Sequence, residues 1–169
     1  MKPGEQLSGY AVEIYHKLSR PIVIVETGCL RRSEPENEAL DGWSTLYFAR
    51  WVKEHPGSKF FSVDNDMEHI RVAMVKLNEE GVLGDFPLFT LGESVGFLTG
   101  FGGDIDFAYL DSCDGWDHGA DEFRAAESHN AKLIVMDDYI GKVVTAEKYA
   151  RDHGWDVKQE GRFTVMRRV

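Results

Sequence analysis

The sequence predicts a single α/β domain of three layers: a doubly wound, mostly parallel sheet of seven strands that ends in an antiparallel β-hairpin. Three observations predict it. From residue 21 onward, short apolar runs alternate with segments of helical period. Two of the runs, Ile22–Val25 and Leu133–Met136, are apolar at successive positions, as strands are when helices cover both sheet faces. The last two β-like stretches flank Glu160-Gly161 at hairpin spacing.

The elements follow in order. Leu7, Tyr10, Ala11, Ile14 and Leu18 recur at helical spacing and place an amphipathic helix over 5–19, which Pro21 ends or follows. Strands are expected over 21–26, 59–64, 87–91, 105–111 and 131–137. Trp43, Leu46, Tyr47 and Trp51 share one face of a helix from Trp43 to Glu54. Ile70, Ala73, Met74 and Leu77 mark another over 67–80, with Gly81 where a C-terminal stop belongs. Weaker helical patterns cover 94–99, 117–129 and 141–153, and the hairpin strands are expected over 155–159 and 163–168. No repeat, low-complexity tract or linker divides the chain. Residues 1–169 therefore read as one domain, with a helix at 5–19, a core at 21–169 and an inserted loop at 29–41.

Composition narrows the function. Of the 169 residues, 43% are apolar and 28% charged, as in an ordinary globular domain. Lys and Arg number 19 against 29 Asp and Glu, a net charge of −10, which argues against a nucleic-acid partner. Ile22–Val25 is the longest purely aliphatic run, far too short to span a membrane, and no apolar signal core follows Met1–Glu5. Cys29 and Cys113 imply no disulfide framework and fit a reducing, cytoplasmic setting. The expectation is an acidic enzyme or small-molecule binder.

Ligands of an open α/β sheet bind at the carboxyl ends of its strands, near the point where strand order reverses. The strands here end in Glu26-Thr27-Gly28-Cys29, Asp64-Asn65-Asp66, Gly92-Glu93-Ser94, Asp111-Ser112-Cys113-Asp114 and Asp137-Asp138, so carboxylates close nearly every strand on one rim. Gly28 allows a tight turn and close backbone approach. Cys29–Asp41, thirteen residues rich in charge, is far longer than the usual connection of about 2–6 residues. It reads as a lid or as a plain surface loop. Asp64 stands where nucleotide-binding sheets place an acid on ribose hydroxyls, while Asp66 better suits a helix cap. Asp111, Asp137 and Asp138 close two neighbouring strands, and carboxylates grouped without basic partners repel. A bound hard cation such as magnesium is the economical explanation, although Asp138 alone would serve as a helix cap. The two isolated cysteines lack zinc-site spacing.

In order along the chain, these segments resemble the motifs of class I S-adenosylmethionine-dependent methyltransferases, which have a Rossmann-like fold. Val25-Glu26-Thr27-Gly28 with Gly42-Trp43-Ser44-Thr45 is similar to their first motif, split by the insertion. Phe61-Ser62-Val63-Asp64 and Leu91-Gly92-Glu93-Ser94 are similar to the second and third. Asp106–Asp111 and Ile134–Asp138 are similar to the fourth and fifth. The resemblance spans about residues 21–168. It implies that Glu26 and Gly28 hold the methionine end of S-adenosylmethionine with Ser44 and Thr45 beside it. It further implies that Asp64 binds the ribose, that Glu93 and Ser94 lie near the adenine, and that Asp111 borders the cofactor. Asp111, Asp137 and Asp138 match a metal-dependent O-methyltransferase subgroup whose residues bind Mg2+ or a similar divalent cation. The Asp137-Asp138 pair is more like the sugar and macrolide enzymes than the catechol type. The catechol type also carries a lysine base where this chain has Asp114.

The implied reaction moves a methyl group to a hydroxyl of a small acceptor, sugar-like or phenolic. Asp114 and His118 are the candidate bases, His118 being alternatively a solvated loop residue. Trp116 reads as an acceptor platform or as a partly buried anchor for its loop. Cys29 and Cys113 read as small apolar fillers, and Trp43, Trp51 and Trp155 as core or interface. The insertion, the N-terminal helix or a second subunit of a homodimer must close the acceptor side. A nicotinamide-dependent oxidoreductase would need G-x-G-x-x-G after the first strand, which Gly28–Ser33 fails. A metal-independent methyltransferase and a non-catalytic nucleotide-binding protein of the same fold remain as alternatives.

Overall fold

A computed structural model of the protein describes residues 1–38, 43–113, 115–137 and 141–169. Helix α1 (Pro3–Leu18) leads into β1 (Val23–Thr27), and a single 3-10 turn (Pro35–Asn37) lies in the insertion. There follow α2 (Ser44–Glu54), β2 (Lys59–Asp64), α3 (Met67–Glu79), β3 (Leu88–Leu91), α4 (Ser94–Thr99) and β4 (Phe107–Leu110). The chain continues through α5 (Trp116–Ser128), β5 (Leu133–Met136), α6 (Lys142–Asp152), β6 (Trp155–Glu160) and β7 (Phe163–Arg168). Among the described residues no helix is long and apolar enough to cross a membrane.

The sheet has seven strands in the order β3-β2-β1-β4-β5-β7-β6. β1 to β5 run parallel, and β7 returns antiparallel between β5 and β6. Strand order reverses between β1 and β4, so the switch-point crevice opens at the carboxyl ends of these two.

Period-2 alternation sorts the strand residues between two apolar layers. Ile24, Phe60, Phe107, Tyr109, Leu133 and Val135 pack with α1, α2 and α3. Val25, Ala108, Leu110, Ile134 and Met136 pack with α5 and α6. Leu7, Tyr10, Ala11 and Ile14 are the buried face of α1, as their spacing predicts. Its end is an αL residue, Ser19 (φ 52°), whose N–H donates to the Tyr15 carbonyl before Pro21 is reached. Asp66 caps α3 by accepting from the Glu68 N–H at 2.8 Å, the role its position suggests. Trp43, Trp51 and Trp155 are all buried.

Several expected strands are longer than the observed ones. The 105–111 run contracts to Phe107–Leu110 because Asp106 turns aside: its carboxylate accepts from Arg20 at 2.7 and 2.9 Å and from the Val23 N–H at 2.9 Å. The insertion is anchored where it is described. Leu30 is buried, the Trp43 indole donates to the Arg32 carbonyl at 2.8 Å, and Glu38 meets Lys2 and the Tyr47 hydroxyl. Residues 39–41 of the expected lid lie outside the described part.

Candidate functional site

Gly28 makes the sharpest turn in the crevice. Its φ is +81°, and a Cβ there would stand 2.3 Å from the Asp111 carbonyl oxygen. Only glycine permits β1 to pass this close to the end of β4. Asp64, at the end of β2, ties the turn down: one carboxylate oxygen accepts from the Cys29 N–H at 2.9 Å. Its other oxygen takes the Asp66 N–H at 2.8 Å and faces His69 Nδ1 at 3.2 Å.

Glu26 is fully buried just before the turn, on the α2 side of the sheet. Strand register sets it between Ser62 of β2 and Tyr109 of β4. Ser44, Thr45 and Ser62 donate hydroxyl hydrogen bonds to it at 2.5, 2.8 and 2.7 Å. Burial pushes its pKa up to about 7, the three hydroxyls pull it back, and Asp111 adds repulsion. Ser44 and Thr45 thus stand beside Glu26 with their hydroxyls turned onto it.

A cavity runs from the Gly28 turn along the ends of β2, β3 and β4. It is lined by Asp64, Asn65, Glu93, Ser94, Ser112, Cys113 and His118. His118 sits in the first turn of α5 rather than in a loop. Its Nε2 lies 2.9 Å from the Ser94 hydroxyl and 3.1 Å from that of Ser112. Behind it, Glu122 is fully buried one helical turn on. Glu122 accepts from the Ser112 hydroxyl at 2.7 Å and lies 3.7 Å from His118, while its second oxygen has no partner among the described residues. Glu122 raises the His118 pKa above its ordinary value against the opposing effect of burial. Burial in turn opposes ionisation of Glu122, but hydrogen bonds led by His118 and Ser112 hold its pKa below the usual carboxylate value. The sequence signal was the His118-x-x-x-Glu122 spacing on one helix face.

The crevice continues past Gly28 to Cys29, Leu30, Arg31, Ser44 and Asp111. Burial pushes the Asp111 pKa up to about 6, Lys142 and Arg31 pull it down, and Asp137 repels. Lys142 Nζ donates to Asp111 at 3.1 Å, and the lysine side chain is only 1% exposed. Asp137, 2% exposed, accepts from Tyr109 at 3.1 Å and twice from Arg162 at 2.5 Å. The expectation that these carboxylates lack basic partners is therefore corrected. Lys142 and Arg162 had no signal in the sequence, since they lie 31 and 25 residues from the aspartates they bond. Asp114 and Asp138 fall outside the described residues. No group of three or more His, Cys, Asp or Glu among the described residues is arranged to hold a metal ion.

Two other expectations change. Trp116, expected as an acceptor platform or a partly buried anchor, is 60% exposed at the start of α5, more open than an anchor. Cys113 is exposed on the cavity wall rather than a filler, whereas Cys29 is buried, and burial with Glu26 and Asp64 nearby pushes its thiol well up.

The strand order, terminal hairpin and switch-point crevice define the class I methyltransferase fold. Solved structures share it. A methyltransferase from Geobacter sulfurreducens is 20% identical over 98% of this chain and 78% of its own, with a TM-score of 0.70. The O-methyltransferase NovP is 13% identical, covering 99% of this chain and 80% of its own, with a TM-score of 0.76. The O-methyltransferase TomG from Streptomyces achromogenes, solved in complex with SAM, is 15% identical over 98% of this chain and 79% of its own, at 0.67. No protein-family model and no curated protein sequence matches the chain.

Proposed function

We propose that the protein transfers a methyl group from S-adenosylmethionine to a hydroxyl of a small acceptor, phenolic or sugar-like. The observation that carries this reading is the Gly28 turn pressed against β4 with Asp64 opposite it at the switch point. The turn brings β1 against the end of β4 at the mouth of the crevice, and Asp64 offers a carboxylate at the place where ribose hydroxyls are held. Solved structures of this fold with SAM or SAH bound support the choice of cofactor.

The donor set suits it. Ser94, Ser112 and His118 present hydroxyl and ring-nitrogen groups for the edge of a base. Asp64, Glu93 and Asp111 line the crevice with carboxylates, which favours a cationic sulfonium and ammonium. The cofactor supplies an electrophilic methyl group when bound. The protein's contribution is positioning and water exclusion: the buried Glu26 cluster fixes the turn, and Leu30 closes one side. His118 belongs on the cofactor side of the crevice, among Ser94 and Ser112. Asp111, past Gly28, is the described carboxylate placed to take the acceptor's proton, with Asp114 close by in sequence.

The implied divalent cation does not fit these residues. Both oxygens of Asp137 accept from Arg162, and Asp111 accepts from an ammonium. The reading is tested by following S-adenosylhomocysteine release with panels of hydroxylated phenols and sugars. Acceptor-dependent release that Asp111→Asn reduces supports it, and a folded protein that releases none with any acceptor contradicts it.

A further inference from the structure

We infer that Lys142 is a built-in cation, a positioning residue whose ammonium holds Asp111 in the place where this fold's metal-dependent members would be expected to use a divalent ion. The use made of this cation rests on the methyl-transfer reading above, but its test does not.

The placement is built into the packing. Lys142 is the first residue of α6, and its backbone and stem run against α5 at Gly119. A Cβ at 119 would stand 2.6 Å from the Lys142 carbonyl oxygen and 2.7 Å from its Cβ, so the lysine lies where only glycine admits it. From there the side chain is buried to 1% exposure, and its ammonium meets Asp111 at 3.1 Å. A lysine is almost never this buried unless paired. Burial works against its charge, but Asp111, Glu122 and Asp137 outweigh that and keep it protonated.

Arg162, from the β6–β7 turn, takes Asp137 with two hydrogen bonds, and Arg31 of the insertion stands near enough to Asp111 to stabilise its charge. Three cationic side chains from three separate segments therefore surround two carboxylates. A divalent ion would have to displace an ammonium from one aspartate and break a guanidinium fork on the other. Magnesium also demands near-octahedral oxygen ligands at about 2.0–2.1 Å. The lysine leaves Asp111 negative and fixed, the state a proton acceptor and a neighbour of a sulfonium needs.

Removing the ammonium together with the Arg162 fork should turn the site into what these cations forestall. Mn2+ binding, read by loss of the free-ion electron paramagnetic resonance signal, tests this without any methyl acceptor. The wild-type protein is expected to leave the signal unchanged. Lys142→Ala combined with Arg162→Ala, shown folded by circular dichroism, should bind Mn2+ at least about tenfold more tightly than wild type, and adding Asp111→Asn should abolish the gain. Wild-type protein that takes up Mn2+ and loses it on Asp111→Asn overturns the inference, and that arm needs no lysine variant to fold. A folded Lys142→Ala/Arg162→Ala protein that takes up none overturns it as well. Calorimetric binding of S-adenosylmethionine by the same wild-type sample reports separately on the methyl-transfer reading.

Discussion

Gly119 lies against Lys142 so closely that a methyl group at 119 would stand 2.7 Å from the lysine Cβ and 2.6 Å from its carbonyl oxygen. The contact joins α5 to α6, the two helices that carry His118, Glu122 and Lys142. Gly119→Ala should therefore destabilise the fold by about 1–3 kcal/mol through overpacking, although alanine is the better helix former. Urea unfolding of the two proteins checks it. An alanine variant as stable as wild type would mean the helices separate without cost.

Glu26 makes stability depend on pH. Its folded pKa of about 7 stands above the ordinary 4.5, so the folded state holds its proton more tightly than the unfolded chain does. The contribution is complete below 4.5 and is lost as pH rises through about 7. It is on the order of 3 kcal/mol. Glu26→Gln, which never ionises, should flatten this part of the stability–pH curve. Thermal melts between pH 4.5 and 8 read the difference, and parallel curves for the two proteins would contradict it.

His118 and Glu122 are coupled in the opposite setting, a half-buried imidazole on a fully buried carboxylate. Because Glu122 raises the His118 pKa above 6.5, the pair stabilises most below 6.5 and loses that contribution as pH rises through the folded value. The stability lost in His118→Ala should be largest in mild acid and shrink above neutrality. The same variant should weaken S-adenosylmethionine binding by roughly tenfold, because Ser94 and Ser112 lose their shared partner. Calorimetry checks the second part. Unchanged affinity would move His118 off the cofactor side.

Arg20 and Asp106 join the end of α1 to the start of β4, with the aspartate nearly fully buried and the arginine half exposed. Arg20→Ala leaves Asp106 its Val23 N–H bond and takes away the guanidinium. The expected cost is about 1–3 kcal/mol, below that of a fully buried pair because water reaches Arg20. Chemical denaturation measures it, and a cost near zero would show that water replaces the guanidinium fully.

The layered sheet was legible because its signals are local. Apolar runs such as Leu133–Met136 can be buried on both faces only in a covered strand, and Leu7, Tyr10, Ala11 and Ile14 repeat at helical spacing within one helix. The rim was legible for the same reason: Gly28 follows β1, Asp64 ends β2 and Ser94 opens the helix just beyond β3. What escaped is tertiary. Lys142 follows Asp137 closely in sequence, but nothing local says that it reaches Asp111 on another strand or that Arg162 folds back onto Asp137, so the aspartates read as unneutralised and suggested a metal. Asp106 looked like strand until Arg20 supplied a reason for it to turn away. His118 stood at the edge of the expected helix over 117–129, and its contacts with Ser94 and Ser112, on other elements, had no local signal.

The central claim is that the Gly28–Asp64 crevice binds S-adenosylmethionine, and calorimetric titration of wild type and Asp64→Asn tests it most directly. Saturable binding to wild type, weakened about tenfold or more in Asp64→Asn, is the predicted result. No binding to folded wild-type protein, or equal affinity in the two proteins, would contradict it.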